Sequence, residues 1–311
     1  MSKIRYFGVF STDECQQIAT GLMCCVLAIM EVGDRKSQAQ ELPDMRTISA
    51  DLEMPSMVDL PPVAGLRSKR RTNDNLANER VYHSLYLPRD WDAKKKWPIL
   101  VELTGNGGYR NQLGDECSGR PEDACLGFGI SAGEGFLWIC CPCLNANGDD
   151  VALTWWGDAP SYDPSPTLKY LHAAIDDACK TFGGDSGRVF LCGFSRGAIA
   201  CNFLGLHDDE IAKRWKAFIA NSHYDGVRKW PYSGNDRESA ALRLARLGGR
   251  PQFICSEGQQ WMETELYLKA FIDTTKLTFA STGFRNHSDR WTLRPSATRE
   301  QLRIWLRELA R

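Results

Sequence analysis

The chain has 311 residues, 43% of them hydrophobic and 25% charged, with a formal net charge of −1. That is enough chain for one large core or two small ones, and a near-neutral balance without an extended basic block argues against a nucleic-acid partner.

In chain order, IATGLMCCVLAIM (18–30) is an apolar run too short to span a bilayer, so no stable membrane span is expected. It has the size of a signal-peptide core, with Lys3 and Arg5 before it and the small-residue stretch Ser37, Gln38, Ala39 after it. Asp13 and Glu14 lie where a signal prefers positive charge. A leader over about residues 1–39 is expected, with a stray N-terminal helix or a translation start placed too far upstream as the alternatives. Export to the periplasm or beyond is favoured over a cytoplasmic location. Residues 31–78 are polar, carry Pro43, Pro55, Pro61 and Pro62, and read as a linker or extended lead-in. The expected organisation is thus an N-terminal extension over 1–78 and one domain over 79–311.

From Val81 a regular rhythm begins. VYHSLYL (81–87), WPILVEL (97–103), FLWICC (136–141), RVFLC (188–192), KAFIA (216–220), PQFICSE (251–257) and LTFAST (277–282) read as strands. The Lys94, Lys95, Lys96 run before the second of these reads as a solvated turn. Helical patterns alternate with the strands. SPTLKYLHAAIDDACKTFG opens with Ser165 as N-cap and Pro166 at the first helical position, and Gly183 and Gly184 stop it. The last helix, TREQLRIWLREL, is expected to carry a Thr298–Gln301 capping box and a buried stripe of Leu302, Trp305 or Leu306, and Leu309. Strands of about five apolar residues alternating with longer helices define an α/β fold, a mostly parallel sheet covered on both faces.

Cysteines do not fix the compartment. Cys15, Cys24 and Cys25 fall in the leader region, and Cys117 and Cys125 are spaced to pair if the protein is exported. Cys140, Cys141 and Cys143 lie in FLWICCPC without a nearby His or second Cys pair to complete a zinc set, so buried free thiols and no metal are expected there.

Two serines match glycine-x-serine-x-glycine: Ser131 in GISAG and Ser195 in GFSRG. A nucleophile elbow needs a buried strand, a tight turn flanked by small residues, and a helix starting at once. Ser195 has all three, whereas Ser131 sits among glycines in what reads as a loop ahead of a strand. Ser195 is therefore the candidate nucleophile. Its base should lie downstream. His207 stands roughly 18 Å away along the same helix, and His223 follows the KAFIA strand. His287, in the loop before the last helix, is the better candidate. The acid is open among Glu257, at the end of PQFICSE, Glu263 and Asp225, with Glu257 the first choice. Oxyanion donors are expected from the N–H of Arg196 and from Gly105 or Asn106 in LTGNGG. Trp155 and Trp156, in a loop on the same face, and His223 either line a pocket for a sugar or phenolic group or simply pack.

LYLPRDWDAKKKWPILVELTGNGGYRN, the elbow GFSRGA and the late GFRNHSDRW together resemble esterase-type α/β-hydrolases related to polyhydroxyalkanoate depolymerases, feruloyl esterases and the prolyl-oligopeptidase catalytic domain. The resemblance covers roughly residues 80–311. It implies a serine hydrolase with no metal or organic cofactor, acting on small-molecule or polymer-derived esters or, less often, on peptides. Two departures stand out. Thr104 occupies the place where the resembled proteins usually have histidine, and Ser256, Glu257, Gly258, Gln259 replace their usual glycine-x-x-aspartate. The first 80 residues offer no room for a β-propeller, which leaves the peptidase alternative without its gate. A catalytically silent hydrolase fold used for binding is the remaining alternative, supported by Thr104 and the altered acid loop.

Overall fold

A computed structural model describes residues 41–75 and 77–311. The expected leader, with residues 18–30 and Cys15, Cys24 and Cys25, lies outside the described residues. Leu42–Arg311 forms one compact unit.

Its strands are β1 (Arg67–Arg70), β2 (His83–Tyr86), β3 (Trp97–Leu103), a small ribbon of β4 (Tyr109–Arg110) and β5 (Glu116–Cys117), β6 (Leu137–Cys141), β7 (Gly184–Phe194), β8 (Ala217–Asn221), β9 (Gln252–Ser256) and β10 (Leu277–Ser281). Eight of them form one sheet in the order β1-β2-β6-β3-β7-β8-β9-β10. Pairing is parallel from β6 to β10, while β2 runs antiparallel to both β1 and β6. The helices are α1 (Leu126–Ser131), α2 (Ser165–Thr181), α3 (Arg196–Phe203), α4 (Asp209–Ala212), α5 (Arg237–Leu244), α6 (Trp261–Lys269) and α7 (Ala297–Ala310).

Strand alternation sorts the core into two layers. Ile99, Val101 and Leu103 of β3 join Leu168, Leu171 and Ile175 of α2 on one face. Leu100 joins Phe128 of α1 and Leu302 and Leu306 of α7 on the other. All these side chains are buried, and each contributes roughly 1.5–3 kcal/mol on removal from water. The central strands are therefore apolar on both sides, as a parallel sheet between helices requires.

Several local expectations shift. Helix α2 begins at Ser165 itself, so Pro164 is the N-cap and Pro166 stands second; Ser165 Oγ donates to Asp163 at 2.7 Å instead of capping. Gly183 ends that helix with φ +76°, while Gly184 already opens β7. Helix α7 is capped by Ser296, whose side chain accepts from the Arg299 N–H, and Thr298 Oγ1 donates to Ser281 O at 2.5 Å. Its buried face is Arg299, Leu302, Arg303, Leu306 and Ala310, with Trp305 and Leu309 only partly covered. Cys117 and Cys125 are free thiols and do not pair; Cys140, Cys141 and Cys143 are buried and free.

The stretch 42–78, read from sequence as a lead-in, supplies edge strand β1. Its Arg67 is fully buried, with Nε on Ser84 Oγ at 2.8 Å, Nη2 on Pro121 O at 2.5 Å, and its guanidinium 4.7 Å from the Trp138 ring centre. Among the described residues, no helix is long and apolar enough to cross a membrane.

Candidate active site

The segment between β7 and α3 is an elbow. Ser195 has φ +55° and ψ −117°, a strained pair of angles for a residue with a Cβ, and its N–H is tied to Asn221 O of β8 at 2.9 Å. Two glycines permit the bend. A Cβ at Gly193 would fall on the Gly197 carbonyl, and one at Gly197 on the Leu103 carbonyl at the end of β3. The turn thus brings Ser195, the start of α3 and the end of β3 into direct contact. Ser131 has no such setting. It ends the short helix α1 rather than lying in a loop, and its hydroxyl donates back to Gly127 O at 2.8 Å.

His287 lies in the loop between β10 and α7. That loop is anchored to the β4–β5 ribbon: the His287 N–H donates to Asp115 Oδ1 at 2.7 Å, and His287 O accepts from the Glu116 N–H at 3.2 Å. The ring is held between Phe194, with centroids 4.7 Å apart, and Tyr109, stacked at 6.0 Å and 25°. In this position His287 Nε2 is 3.0 Å from Ser195 Oγ, and Nδ1 is 3.1 Å from Glu257 Oε1. Both distances are within hydrogen-bond range. With Nδ1–H donating to the carboxylate, Nε2 is free to accept the serine proton.

Of the three acids left open, the structure brings only Glu257 to the imidazole. Glu257 follows β9 and is buried. Burial pushes its carboxyl up, but the hydrogen bond and charge of His287 and the hydrogen bond of Ser222 outweigh it, so the net shift is downward and the acid stays ionised. Asp225 is buried elsewhere in an ion pair with Arg243 at 2.8 Å and accepts from the Tyr232 hydroxyl at 2.9 Å. Glu263 is on α6, 3.5 Å from Arg228 and half exposed.

Arg196 and the loop after β3 are joined through a contact that sequence reading missed. As the first residue of α3, Arg196 has an N–H with no partner inside the helix. Its side chain is buried and turns back on the loop: Nη2 donates to Thr104 Oγ1 at 2.9 Å, Nε to Thr104 O at 3.3 Å, and Nη1 to Ala152 O at 2.8 Å. Thr104 therefore serves as the loop's latch, which accounts for a hydroxyl where the resembled proteins carry histidine. Next to it, a Cβ on Gly105 would meet Cys117 Sγ at 2.7 Å, and the Gly107 N–H donates to Leu153 O at 2.6 Å. Asn106 Oδ1 is enclosed with no partner among the described residues. Thr104→Val removes the hydroxyl acceptor from a buried guanidinium. It is expected to cost about 1–3 kcal/mol in urea unfolding, with Thr104→Ser close to the parent; equal midpoints and slopes for all three would refute the latch.

A cavity of about 290 Å³ opens beside this loop, lined by Thr104, Gly105, Tyr109, Arg120, Asp289 and Arg290 among others. On the other side of His287 stand aromatic rings. His223 lies 5.1 Å from His287 and 5.4 Å from Trp230, and Trp155 lies 5.4 Å from Trp230. Burial, and then the neighbouring His287, lowers the His223 pKa to about 4, so this second imidazole is neutral at ordinary pH. Trp155 is half-buried, whereas Trp156 is fully buried and stacks on Phe203 at 4.8 Å and 16°. Trp156 is core packing, not pocket. Among the described residues no group of three or more His, Cys, Asp or Glu side chains is arranged to hold a metal ion.

No family model matches the sequence, and no curated protein matches it. Solved structures do. An S-formylglutathione hydrolase from Agrobacterium tumefaciens is similar with TM-score 0.54 at 15% identity, over 83% of this chain and 100% of that one. Dipeptidyl peptidase 4 of Porphyromonas gingivalis is similar with TM-score 0.52 at 17% identity, over 79% of this chain and 36% of that one. An acylaminoacyl peptidase of Pyrococcus horikoshii gives TM-score 0.50 at 12% identity, over 79% and 41%. The chain thus spans well under half the length of the two peptidases. The likeness, with the parallel sheet and its elbow, establishes the fold: this is an α/β-hydrolase fold.

Proposed function

We propose that the chain is a serine hydrolase that cleaves carboxylic esters through an acyl-enzyme, with Ser195, His287 and Glu257 as its triad. The observation that carries this reading is the continuous hydrogen-bonded line Ser195 Oγ–His287 Nε2 (3.0 Å) and His287 Nδ1–Glu257 Oε1 (3.1 Å). An unassisted serine hydroxyl is a poor nucleophile, and this line supplies both the base and the charge that steadies it.

In the first half-reaction His287 Nε2 takes the Ser195 proton as Oγ attacks the ester carbonyl. The oxyanion is held by the Arg196 N–H at the positive end of α3, together with an N–H from the Gly105, Asn106 loop. The imidazolium, balanced by Glu257, then protonates the leaving alcohol. Water enters, loses a proton to His287 and attacks the acyl carbonyl, and Ser195 is released as the proton returns to it. The half-buried Trp155 and the neighbouring His223 and Trp230, whose rings are tilted to one another at 49° and 51°, offer an aromatic wall to a phenolic or sugar group of the substrate. None of these steps calls on a metal or an organic cofactor.

A peptidase on the same site is the second reading, favoured by the likeness to the two peptidases. Short-chain p-nitrophenyl esters assayed beside aminoacyl p-nitroanilides separate the two. The proposal expects turnover of the esters with little or none of the anilides; preferred anilide cleavage would replace it by the peptidase reading. A silent binding fold predicts neither, and the intact Ser195–His287–Glu257 geometry speaks against it.

A further inference from the structure

Glu257 is also held by a residue that the mechanism above does not use. Ser222 directly follows β8, is 7% exposed, and has φ +87°, in the left-handed region that a residue with a Cβ rarely adopts. This backbone is held by its own N–H, which donates to Cys255 O of β9 at 2.7 Å. The result is a hydroxyl aimed at the acid: Ser222 Oγ donates to Glu257 Oε1 at 2.5 Å. That is the oxygen which also receives His287 Nδ1–H, whereas Glu257 Oε2 is enclosed with no partner among the described residues. Behind Ser222 the line continues. Asn221 Nδ2 donates to Ser222 Oγ at 3.2 Å, and Trp291 Nε1, on a fully buried ring, donates to Asn221 Oδ1 at 2.9 Å.

Two features make the hydroxyl necessary in this chain. The acid is a glutamate, one methylene longer than aspartate, so one more torsion must be frozen to keep its carboxylate on the imidazole. It is also buried, where a carboxylate with few donors is costly. Ser222 and His287 are its two side-chain donors, and both converge on one oxygen. Strain at a buried, non-glycine position is retained only where the surroundings over-determine it, and here they do so by directing one O–H at one carboxylate.

We propose that Ser222 is a positioning residue of the hydrolytic site, its hydroxyl pinning Glu257 Oε1 in line with His287 Nδ1 at the expense of its own backbone comfort. The inference rests on the serine-hydrolase reading. It predicts that the loss of kcat follows the hydroxyl, whereas stability also follows the backbone: Ser222→Gly and Ser222→Ala both lack the hydroxyl, and only Ser222→Ala keeps a Cβ at φ +87°. Ser222→Gly accepts φ +87° freely and keeps the N–H bond to Cys255 O, but it lacks the hydroxyl.

The experiment compares the full chain with Ser222→Gly, Ser222→Ala and Ser195→Ala, using p-nitrophenyl acetate turnover and thermal unfolding. The expected result is a kcat lowered about 10-fold or more in both Ser222 variants. KM should stay within about twofold, because the loss falls on the charged transition state and not on substrate binding. The unfolding temperature of Ser222→Gly should lie at or above that of Ser222→Ala, which loses the same hydroxyl but keeps a Cβ at φ +87°. Parent-like kcat in Ser222→Gly overturns the proposal. So does a fall in kcat that tracks the loss of stability across the two variants, small in Ser222→Gly and large only in the less stable Ser222→Ala, which assigns Ser222 a purely structural role. If Ser195→Ala keeps the parent's turnover, the hydrolase reading itself fails and the Ser222 proposal falls with it. Turnover lost in Ser195→Ala but kept in Ser222→Gly removes Ser222 alone.

Discussion

Ser195→Ala is expected to lower ester turnover by roughly 10⁴- to 10⁶-fold while leaving the fold intact. The size follows from what the substitution removes. The attacking atom itself is lost, and His287 is left with no proton to take, so only oxyanion stabilisation and substrate placement remain to act on water. Stability should hardly change, because alanine accepts the same backbone angles as serine and the Ser195 N–H bond to Asn221 O is kept. Turnover of p-nitrophenyl acetate, read beside urea unfolding, checks both halves. A variant that folds and retains the parent's rate would remove Ser195 from the chemistry.

Glu257→Gln is the second large effect, a fall of roughly 10²- to 10⁴-fold in kcat. The amide has the size of the carboxylate, and its oxygen can still accept from Ser222 and His287. What disappears is the negative charge that balances the imidazolium formed as Ser195 attacks. In a buried setting that charge is poorly replaced by solvent. The two acids that sequence reading kept beside Glu257 provide the contrast. Glu263→Gln should leave kcat within about twofold, since Glu263 is half exposed and, among the described residues, pairs with Arg228 at 3.5 Å. Asp225→Asn should reduce stability instead, because it leaves the Arg243 guanidinium, 11% exposed, without its carboxylate. Steady-state rates and unfolding midpoints of the three variants distinguish a chemical acid from a structural one. A Glu263 or Asp225 variant with the larger loss of kcat would reassign the role.

What could be read without coordinates was local. β3 matches WPILVEL residue for residue, and the Ser195 elbow was legible because strand, glycines and helix lie within ten residues of one another. That His287 stands beside the elbow followed from chain order once the elbow was fixed. Which carboxylate stands beside His287 was harder to read, because Asp225, Glu257 and Glu263 all follow strands within a few residues. Only the pairing of β8 with β9, and of β9 with β10, determines which carboxylate stands beside the His287 loop. Ser222 was invisible for the same reason: its φ and its partner on β9 are tertiary facts.

Residues 31–78 read as a linker or lead-in from their polarity and prolines, yet the described part supplies β1, whose Arg67 is wholly buried on carbonyls and an indole ring, where hydrogen bonds and cation–π contact replace water. Thr104 looked like a defect in the oxyanion loop. Its partner, the Arg196 guanidinium, is 92 positions away in sequence, and neither residue announces the other.

The most direct test of the central claim is covalent. The full chain is treated with a fluorophosphonate probe, its intact mass is measured, and the modified peptide is mapped. The account predicts one adduct per chain, on Ser195, absent in Ser195→Ala and formed much more slowly in His287→Ala. An unmodified Ser195, with no adduct or with the label on Ser131 or another residue, would contradict it.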